Sequence, residues 1–192
     1  MRKTLAHFLV AFLVLLCFGC EEHYTPKPKG YFRIALPEKN YTTFASPCAF
    51  KVELPKYSQV EMISESTDSC WFNVVFPRHN ARVHCTYLRF EGSVTPLVED
   101  AYNFAFKHEV KANAIKRNAY QNSDANVYGM IYDLTGNVAS PLQFYVTDSA
   151  QHFIRGSLYF EHIPNADSLA PVVDFLRQDV LHFMETLTWS AP

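Results

Sequence analysis

The sequence predicts an α+β fold, in which one domain has a mostly antiparallel sheet with helices packed on it. Three observations predict this class. Strand-like segments outnumber helical ones, in keeping with an aromatic content of 15%, because aromatic residues favour strands and bulky cores. Short turn segments separate the last three strand candidates, as in an antiparallel meander. Two further segments carry apolar residues at helical spacing.

The first residues have the parts of a lipoprotein signal peptide. Two basic residues near the start precede the apolar run Phe8–Phe18. This run is shorter than the about 20 residues of a membrane-spanning helix, but it suits the apolar region of a secretory signal. A small residue followed by cysteine, Gly19-Cys20, then resembles a lipobox. We therefore predict a signal peptide at 1–19 and lipidation of Cys20, rather than an uncleaved anchor with an incidental cysteine.

Residues 20–30 are predicted to form a lipidated, proline-rich tether. Pro26 and Pro28 favour an extended polyproline conformation there. Because two or three acyl chains hold a protein on a membrane stably, the membrane is an expected partner through Cys20. The remaining residues, 31–192, are predicted to form a single α+β domain, long enough for a substantial core.

Five strand candidates fill the first half of this domain. A proline follows the first, and apolar and charged residues alternate in the second. Bulky residues occupy both faces of the fourth, which predicts a strand covered on both sides. Apolar residues also lie on both faces of the long fifth candidate. The five segments are Tyr31–Leu36, Ala49–Leu54, Val60–Ile63, Cys70–Phe76 and Arg82–Phe90.

A helix is predicted next, with Thr95 as its N-cap and Pro96 as its first residue. Apolar residues recur at helical spacing from Leu97 to Ala105. The polar stretch Lys111–Asn126 that follows is predicted to be a loop.

The second half holds the predicted meander and a C-terminal helix. Its three strand candidates are Val127–Leu134, Leu142–Thr147 and His152–Glu161. The helix is capped by Asp167 or Asn165, has Pro171 in its first turns and carries an apolar face up to Leu187. We expect that face to pack on the core. This order of elements is similar to that of the PsbP/Mog1-like sandwich.

Composition excludes a nucleic-acid partner. The chain has 17 Lys and Arg against 19 Asp and Glu, a formal net charge of −2. Loss of two basic residues with the signal peptide makes the mature chain more acidic. Nucleic-acid binding calls for a basic face, which this balance does not favour.

No metal, cofactor or catalytic site is expected from the residue patterns. His108-Glu109 begins like a zinc-protease motif, but Ala112 stands where the second histidine belongs. His84 adjoins Cys85, yet adjacent strand residues point to opposite faces. With only 6 glycines the chain offers no phosphate-binding loop.

The cysteines predict one disulfide. Of the five, one leaves with the signal peptide and one carries lipid, so three remain, and the count alone leaves their pairing open. Cys48 and Cys70 each stand at the start of a strand candidate, after turn-like residues, where a bridge needs little adjustment. Cys85 lies mid-strand on an apolar face. We predict a Cys48–Cys70 disulfide and a buried Cys85 thiol.

Several blocks of the sequence together resemble the gliding motility lipoprotein GldD family of the Bacteroidetes. The resemblance runs from the lipobox to about Trp189, in the expected order. The blocks are PKPKGY at 26–31, CWFN at 70–73 with Phe76-Pro77, NADSLAP at 165–171, Asp174-Phe175, and ETL at 185–187 with Trp189.

This resemblance implies association with gliding on surfaces and with the type IX secretion machinery, and partners among the other envelope proteins of that apparatus. It implies no catalytic residues, and Cys20 is the only functional position that it carries over. Glu21 and Glu22 follow that cysteine and resemble the surface-export signal of Bacteroidetes lipoproteins, but also the inner-membrane retention signals of other bacteria. We favour the outer membrane, with the domain facing the periplasm.

Three functions are weighed. The leading hypothesis is a non-enzymatic cell-envelope lipoprotein required for gliding and type IX secretion, which assembles or stabilises the apparatus. The alternative is a periplasmic, lipid-anchored binding module for a peptide or glycan, which exposed aromatic side chains clustered in one concave pocket would favour. A lipid-anchored hydrolase is the third, and it would require a convergent Ser/His/Asp or Cys/His set in a cleft.

The lipobox yields the first testable prediction. Cells fed an alkyne analogue of palmitate should label the protein, and Cys20→Ala should abolish the label because it removes the acylated thiol. Cys17→Ala is the matched control and should keep the label, since Cys17 is removed with the signal peptide. A labelled Cys20→Ala protein would contradict lipidation at this residue.

Overall fold

The structure, a computed structural model, describes residues 34–66 and 68–190. The predicted signal peptide at 1–19 and tether at 20–30 lie outside the described residues. The described part contains ten strands, two α-helices and a short 3-10 turn at Pro77–His79.

The elements have the following bounds. The strands are β1 Tyr41–Ala45, β2 Phe50–Pro55, β3 Gln59–Glu65, β4 Ser69–Phe76, β5 Ala81–Arg89, β6 Ala114–Asn122, β7 Val127–Thr135, β8 Leu142–Thr147, β9 His152–Phe160 and β10 Thr188–Trp189. The helices are α1 Thr95–Phe106 and α2 Ala166–Thr186.

Two antiparallel sheets form the framework. The large sheet has seven strands in the order β3-β4-β5-β9-β8-β7-β6, and the small sheet has the order β1-β2-β10. The meander β7-β8-β9 pairs as predicted, and β9 then pairs with β5, which joins the two halves of the chain. The predicted α+β class with a mostly antiparallel sheet is confirmed.

Two predicted segments differ from the structure. Residues 34–36 are not in a strand; the first strand begins at Tyr41 instead and pairs with β2. Pro37 lacks the N–H that a ladder needs, so pairing starts beyond it. The stretch Lys111–Asn126, predicted as a loop, contains β6.

The reason for the second error lies in the position of β6. It is an edge strand that pairs only with β7 among the strands described. Most of its residues are exposed, so the apolar alternation that marks a strand is missing. Charged side chains such as Lys116 and Arg117 suit an edge, where they oppose pairing with other chains.

The helix ends also refine the prediction. Thr95 is the first helical residue rather than the N-cap; Val94 holds that position, and the Ser93 hydroxyl accepts a hydrogen bond from the Thr95 N–H at 3.2 Å. In α2, Asn165 is the cap and accepts from the Ser168 N–H at 3.2 Å, whereas Asp167 lies in the first turn. Of the two predicted caps, Asn165 is therefore the correct one.

Helix α2 and the small sheet pack on one face of the large sheet. The predicted apolar face of α2 supplies the middle of this core, as expected from its spacing. Buried side chains from α2 include Val172, Phe175, Leu176, Val180, Phe183 and Met184, and they pack with Phe50, Val52 and Leu54 of β2 and with Phe72, Val74, Val83, Phe144, Ile154 and Leu158 of the large sheet.

Helix α1 covers only part of the opposite face. Its buried residues Ala101 and Ala105 pack near Tyr145 of β8 and Phe153 of β9. The helix is short, so it lies over the β7-β8-β9 end of the sheet. We call the rest of this face the open face; it is formed by the outward side chains of β3, β4 and β5 and by those of β9 beyond Phe153.

A buried carboxylate connects α2 to the N-terminal side of the domain. Asp179 is 3% exposed. Its Oδ1 accepts from Lys39 Nζ at 2.7 Å and from the Tyr41 hydroxyl at 3.0 Å, and its Oδ2 accepts from the Tyr57 hydroxyl at 2.6 Å. Lys39 Nζ also donates to the backbone carbonyl of Phe175 at 2.7 Å. It lies 3.4 Å from the centre of the Phe175 ring.

Burial sets the protonation of the donors in this network. It raises the pKa of both Tyr41 and Tyr57, and the hydrogen bonds to Asp179 raise it further, so both phenols keep their protons and donate. Burial lowers the pKa of Lys39, and the hydrogen bond and charge of Asp179 oppose that change. Three donors therefore compensate one desolvated carboxylate.

The network predicts a large effect for Asp179→Ala. The substitution leaves Lys39 and two phenols without their acceptor, and breaking a buried charge pair costs about 3 kcal/mol or more of unfolding free energy. Urea denaturation of the chain purified without lipid should show the loss. Glu185→Ala, which removes an exposed acid from the same helix, should change stability by less than about 0.5 kcal/mol. Equal midpoints for both variants would contradict the role of Asp179.

Candidate functional site

Of the predicted site residues, Cys20 lies outside the described residues, whereas Cys48 and Cys70 lie within them. The structure places these two as a disulfide pair with Cα atoms 6.4 Å apart, inside the range that bridges usually span. Both are buried. The pair connects the segment before β2 with β4, and so ties the small sheet to the large one.

Cys85 is a free, buried cysteine on the core side of β5. Burial raises the pKa of its thiol. A reactive cysteine needs an accessible thiolate, and this environment disfavours one. Its neighbour His84 is exposed on the opposite side of the strand, in line with the alternation expected from the sequence.

Metal-binding side chains do not converge in residues 34–66 and 68–190. No group of three or more His, Cys, Asp or Glu there could hold a metal ion. Likewise, no helix in these ranges is both long and apolar enough to cross a membrane.

The open face brings together polar residues that are distant in sequence. His84 of β5 is the direct cross-strand partner of Asn73 in β4 and of Ser157 in β9. The ring nitrogen Nδ1 of His84 lies 2.8 Å from Oδ1 of Asn73. Although His84 is exposed, partial desolvation of its ring lowers its pKa, and the nearby Arg82 lowers it further. The imidazole is therefore neutral at pH 7.

This set does not have the geometry of a hydrolase site. Histidine stands between a serine and an amide, in the order of a nucleophile, a base and an orienting group. Yet no hydrogen bond joins His84 to Ser157 in the part of the chain that the structure describes, and the three lie on a sheet face rather than in a cleft. The sequence could not have located this row, because its members come from three strands.

A second row runs beside the first on the open face. Trp71, Thr86 and Arg155 are successive cross-strand partners in β4, β5 and β9. Trp71 is 55% exposed. Strand β4 was predicted to be covered on both sides. On its outward side Asn73 is buried, but Trp71 is not covered, because α1 packs over β8.

Helix α1 borders the open face at Arg155. The guanidinium carbon of Arg155 lies 4.1 Å from the ring centre of Phe104, which is 41% exposed. Burial lowers the pKa of Arg155, and the carboxylate of Asp100 acts in the opposite direction. No carboxylate of the described chain lies within ion-pair distance of this guanidinium.

A cleft of about 320 Å³ lies between the start of α2 and the β7–β8 turn. Its volume is at the lower limit for ligand sites. Two backbone N–H groups at the start of α2 already have side-chain acceptors. Asn137 accepts from the Ala166 N–H at 2.9 Å, and Asn165 accepts from the Ser168 N–H. The NADSLAP block thus lines this cleft, whereas the CWFN block contributes Trp71 and Asn73 to the open face.

Comparison with known proteins yields one family. A family model described as gliding motility lipoprotein GldD matches residues 21–189. The resemblance carried by the sequence blocks is therefore confirmed. No curated protein matches the chain.

The cysteine geometry predicts the outcome of peptide mapping. Digestion without reductant should release Cys48 and Cys70 in one linked fragment, and Cys85 should react with an alkylating agent only after unfolding, since it is buried. Cys70→Ser should lower the free energy of unfolding by about 3 kcal/mol, because the bridge closes a loop with a sequence separation of 22.

Reductant provides the control for this prediction. In its presence, the unsubstituted chain and Cys70→Ser should have nearly the same stability, since neither then has the bridge. A linked fragment that contains Cys85 would show that the pairing is wrong.

Proposed function

The chain belongs to the gliding motility lipoprotein GldD family, and we propose that it acts as a non-enzymatic component of the apparatus for gliding motility and type IX protein secretion. In this role it assembles or stabilises the apparatus from a lipid-anchored position in the cell envelope. The observation that carries the proposal is the family match over residues 21–189, which spans nearly all of the chain.

The sequence supports a lipid anchor at the start of the matched region. The match begins at residue 21, directly after Cys20 of the lipobox. Acylation of Cys20, with palmitate among the acyl chains, would hold the domain at a membrane surface. We propose the outer membrane, with the domain facing the periplasm and touching other envelope proteins of the apparatus.

The arrangement of reactive groups favours assembly over turnover. Cys85 is enclosed in the core with a raised pKa. The imidazole of His84 bonds to an amide, Asn73, rather than to a carboxylate. Within the described chain, Cys85 is thus enclosed, and His84 lacks the carboxylate that would activate it as a base.

A tethered component of a moving apparatus has to withstand load at its anchored end, and the Asp179 network suits this demand. Lys39 bonds both to the side chain of Asp179 and to the carbonyl of Phe175. Tyr41, at the start of β1, bonds to the same carboxylate. A pulling force applied at the N-terminal side of the domain would therefore be resisted by helix α2 and the core, and would not detach β1 alone.

The proposal predicts the phenotype of a gene deletion. Loss of the protein should impair export of type IX cargo, and should stop gliding where the organism glides, because the apparatus lacks a component. Immunoblots of cargo in the medium and time-lapse imaging of cells on glass measure the two effects. Normal cargo export and normal gliding in the deletion strain would refute the proposed role.

Complementation of that strain separates folding from chemistry. Leu176→Asp should fail, because Leu176 is fully buried and an unpaired charge there prevents packing. Gln178→Asp adds the same charge at an exposed position of α2 and should restore both functions. Ser157→Ala should also restore them, since assembly needs no nucleophile. If Ser157→Ala accumulated normally but restored nothing, the non-enzymatic role would be wrong and a hydrolase would be favoured.

A further inference from the structure

We propose that the open face binds an acidic polysaccharide, with Trp71 stacking on a sugar ring and Arg155 pairing with a sugar carboxylate. This goes beyond the proposed part in assembly, because it assigns a ligand class to a surface. The argument rests on the exposure of Trp71, the position of Arg155 and the row of polar side chains beside them.

Trp71 is placed as a stacking surface. It lies near the start of β4, whose other face is buried in the core, yet the residue is 55% exposed. Its indole N–H has no hydrogen-bond partner among the described residues. A large apolar ring with a free polar edge is suited to a ligand that has both apolar C–H faces and hydroxyl groups. Sugar rings have this combination.

Arg155 lies in the same row, two strands from Trp71. Neighbouring strands are about 4.8 Å apart, so roughly 10 Å separates the two backbone positions, a span suited to adjacent sugar units. Thr86 occupies the intervening position and adds a hydroxyl. The row thus has an aromatic surface at one end, a cation at the other and a hydrogen-bonding group between.

The guanidinium of Arg155 is held in place but not neutralised. Stacking on Phe104 at 4.1 Å restricts its orientation. Asp100 acts on it electrostatically, but does not form an ion pair with it. A planar guanidinium fixed in this way is suited to a bidentate pair with a carboxylate. An acidic ligand would supply the missing charge.

The adjacent row adds neutral hydrogen-bonding groups. Asn73 fixes His84 through the 2.8 Å bond at Nδ1. When this nitrogen donates to the amide oxygen, Nε2 remains free to accept from a ligand hydroxyl. Ser157 lies on the other side of His84 and offers a further hydroxyl. The two rows lie two residues apart along the strands. Together they form a platform on the open face in which Arg155 is the charged side chain.

The other charges near this platform are only partly neutralised by one another. Arg82, the next outward residue of β5 after His84, forms ion pairs with Glu61 and with Glu161. Two cations meet at Phe104 without an ion pair within the described chain: Arg155, and Lys107, whose Nζ lies 4.4 Å from the centre of the same ring. This asymmetry favours an anionic ligand over a neutral one.

The position of the platform favours a polysaccharide over a peptide. Extended peptides commonly bind by adding a strand to a sheet edge. Strands β4, β5 and β9 are internal, each with a neighbour on both sides, so their backbone groups are already used in the ladders. Only side chains remain for recognition, and hydroxyl-rich ligands are recognised in that way.

The test uses the full-length lipoprotein in detergent, with hexagalacturonate as the probe and its methyl ester as the matched neutral ligand. Calorimetry should detect binding of the acid, with an affinity that falls as salt is added, and at least tenfold weaker binding of the ester. Trp71→Ala should weaken binding of the acid at least tenfold. Arg155→Gln should bind acid and ester about equally.

Tyr102→Ala provides the control, because Tyr102 is an exposed aromatic of α1 that stacks on Phe106; it should bind like the unsubstituted protein. Urea midpoints establish that each variant is folded. The proposal is overturned if hexagalacturonate does not bind, or if Trp71→Ala and Arg155→Gln leave its binding unchanged. Equal binding of a hexaglutamate peptide, lost in the same two variants, would also overturn it and identify an acidic-peptide site.

Discussion

The carboxylate of Asp179 is the constraint on which the arrangement of the layers depends. It is buried in the packing face of the last helix, where an unpaired charge would be strongly unfavourable. Lys39, Tyr41 and Tyr57 all donate to it, and all three belong to the N-terminal side of the domain. The helix can therefore bury its apolar face only in the position where these donors meet the carboxylate, which fixes α2 against the small sheet as well as the large one.

The two faces of the large sheet differ as a consequence. Helix α2 and the small sheet cover one face, and the Cys48–Cys70 pair ties the small sheet to β4. The short helix α1 covers only one end of the other face. The larger cluster of buried apolar side chains thus lies on one side of the sheet. The opposite side has an exposed tryptophan and a row of hydrogen-bonding side chains. A domain built in this way can offer a rigid surface without a deep cavity.

The family and the geometry lead to the same view of function by different routes. The family match defines a gliding motility lipoprotein, and the predicted lipobox cysteine, Cys20, precedes the matched residues directly. Independently, two reactive groups of the described chain are engaged in structural contacts: Cys85 is buried in the core, and His84 bonds to Asn73 on the open face. The proposed recognition surface, held at a membrane by lipid, would account for both sets of observations.

The sequence by itself determined the α+β class, the meander, both helices and the family, because each is encoded in local periodicity, turn residues or contiguous blocks. It also predicts a lipobox at Gly19-Cys20. Only the tertiary structure decided that β6 is a strand, since that polar segment becomes ordered by pairing with β7. The same holds for the exposure of Trp71, which depends on where α1 packs. His84 and Ser157 meet because β5 and β9 pair in one register, and register between strands so distant in the chain is set by burial of their other face in the common core.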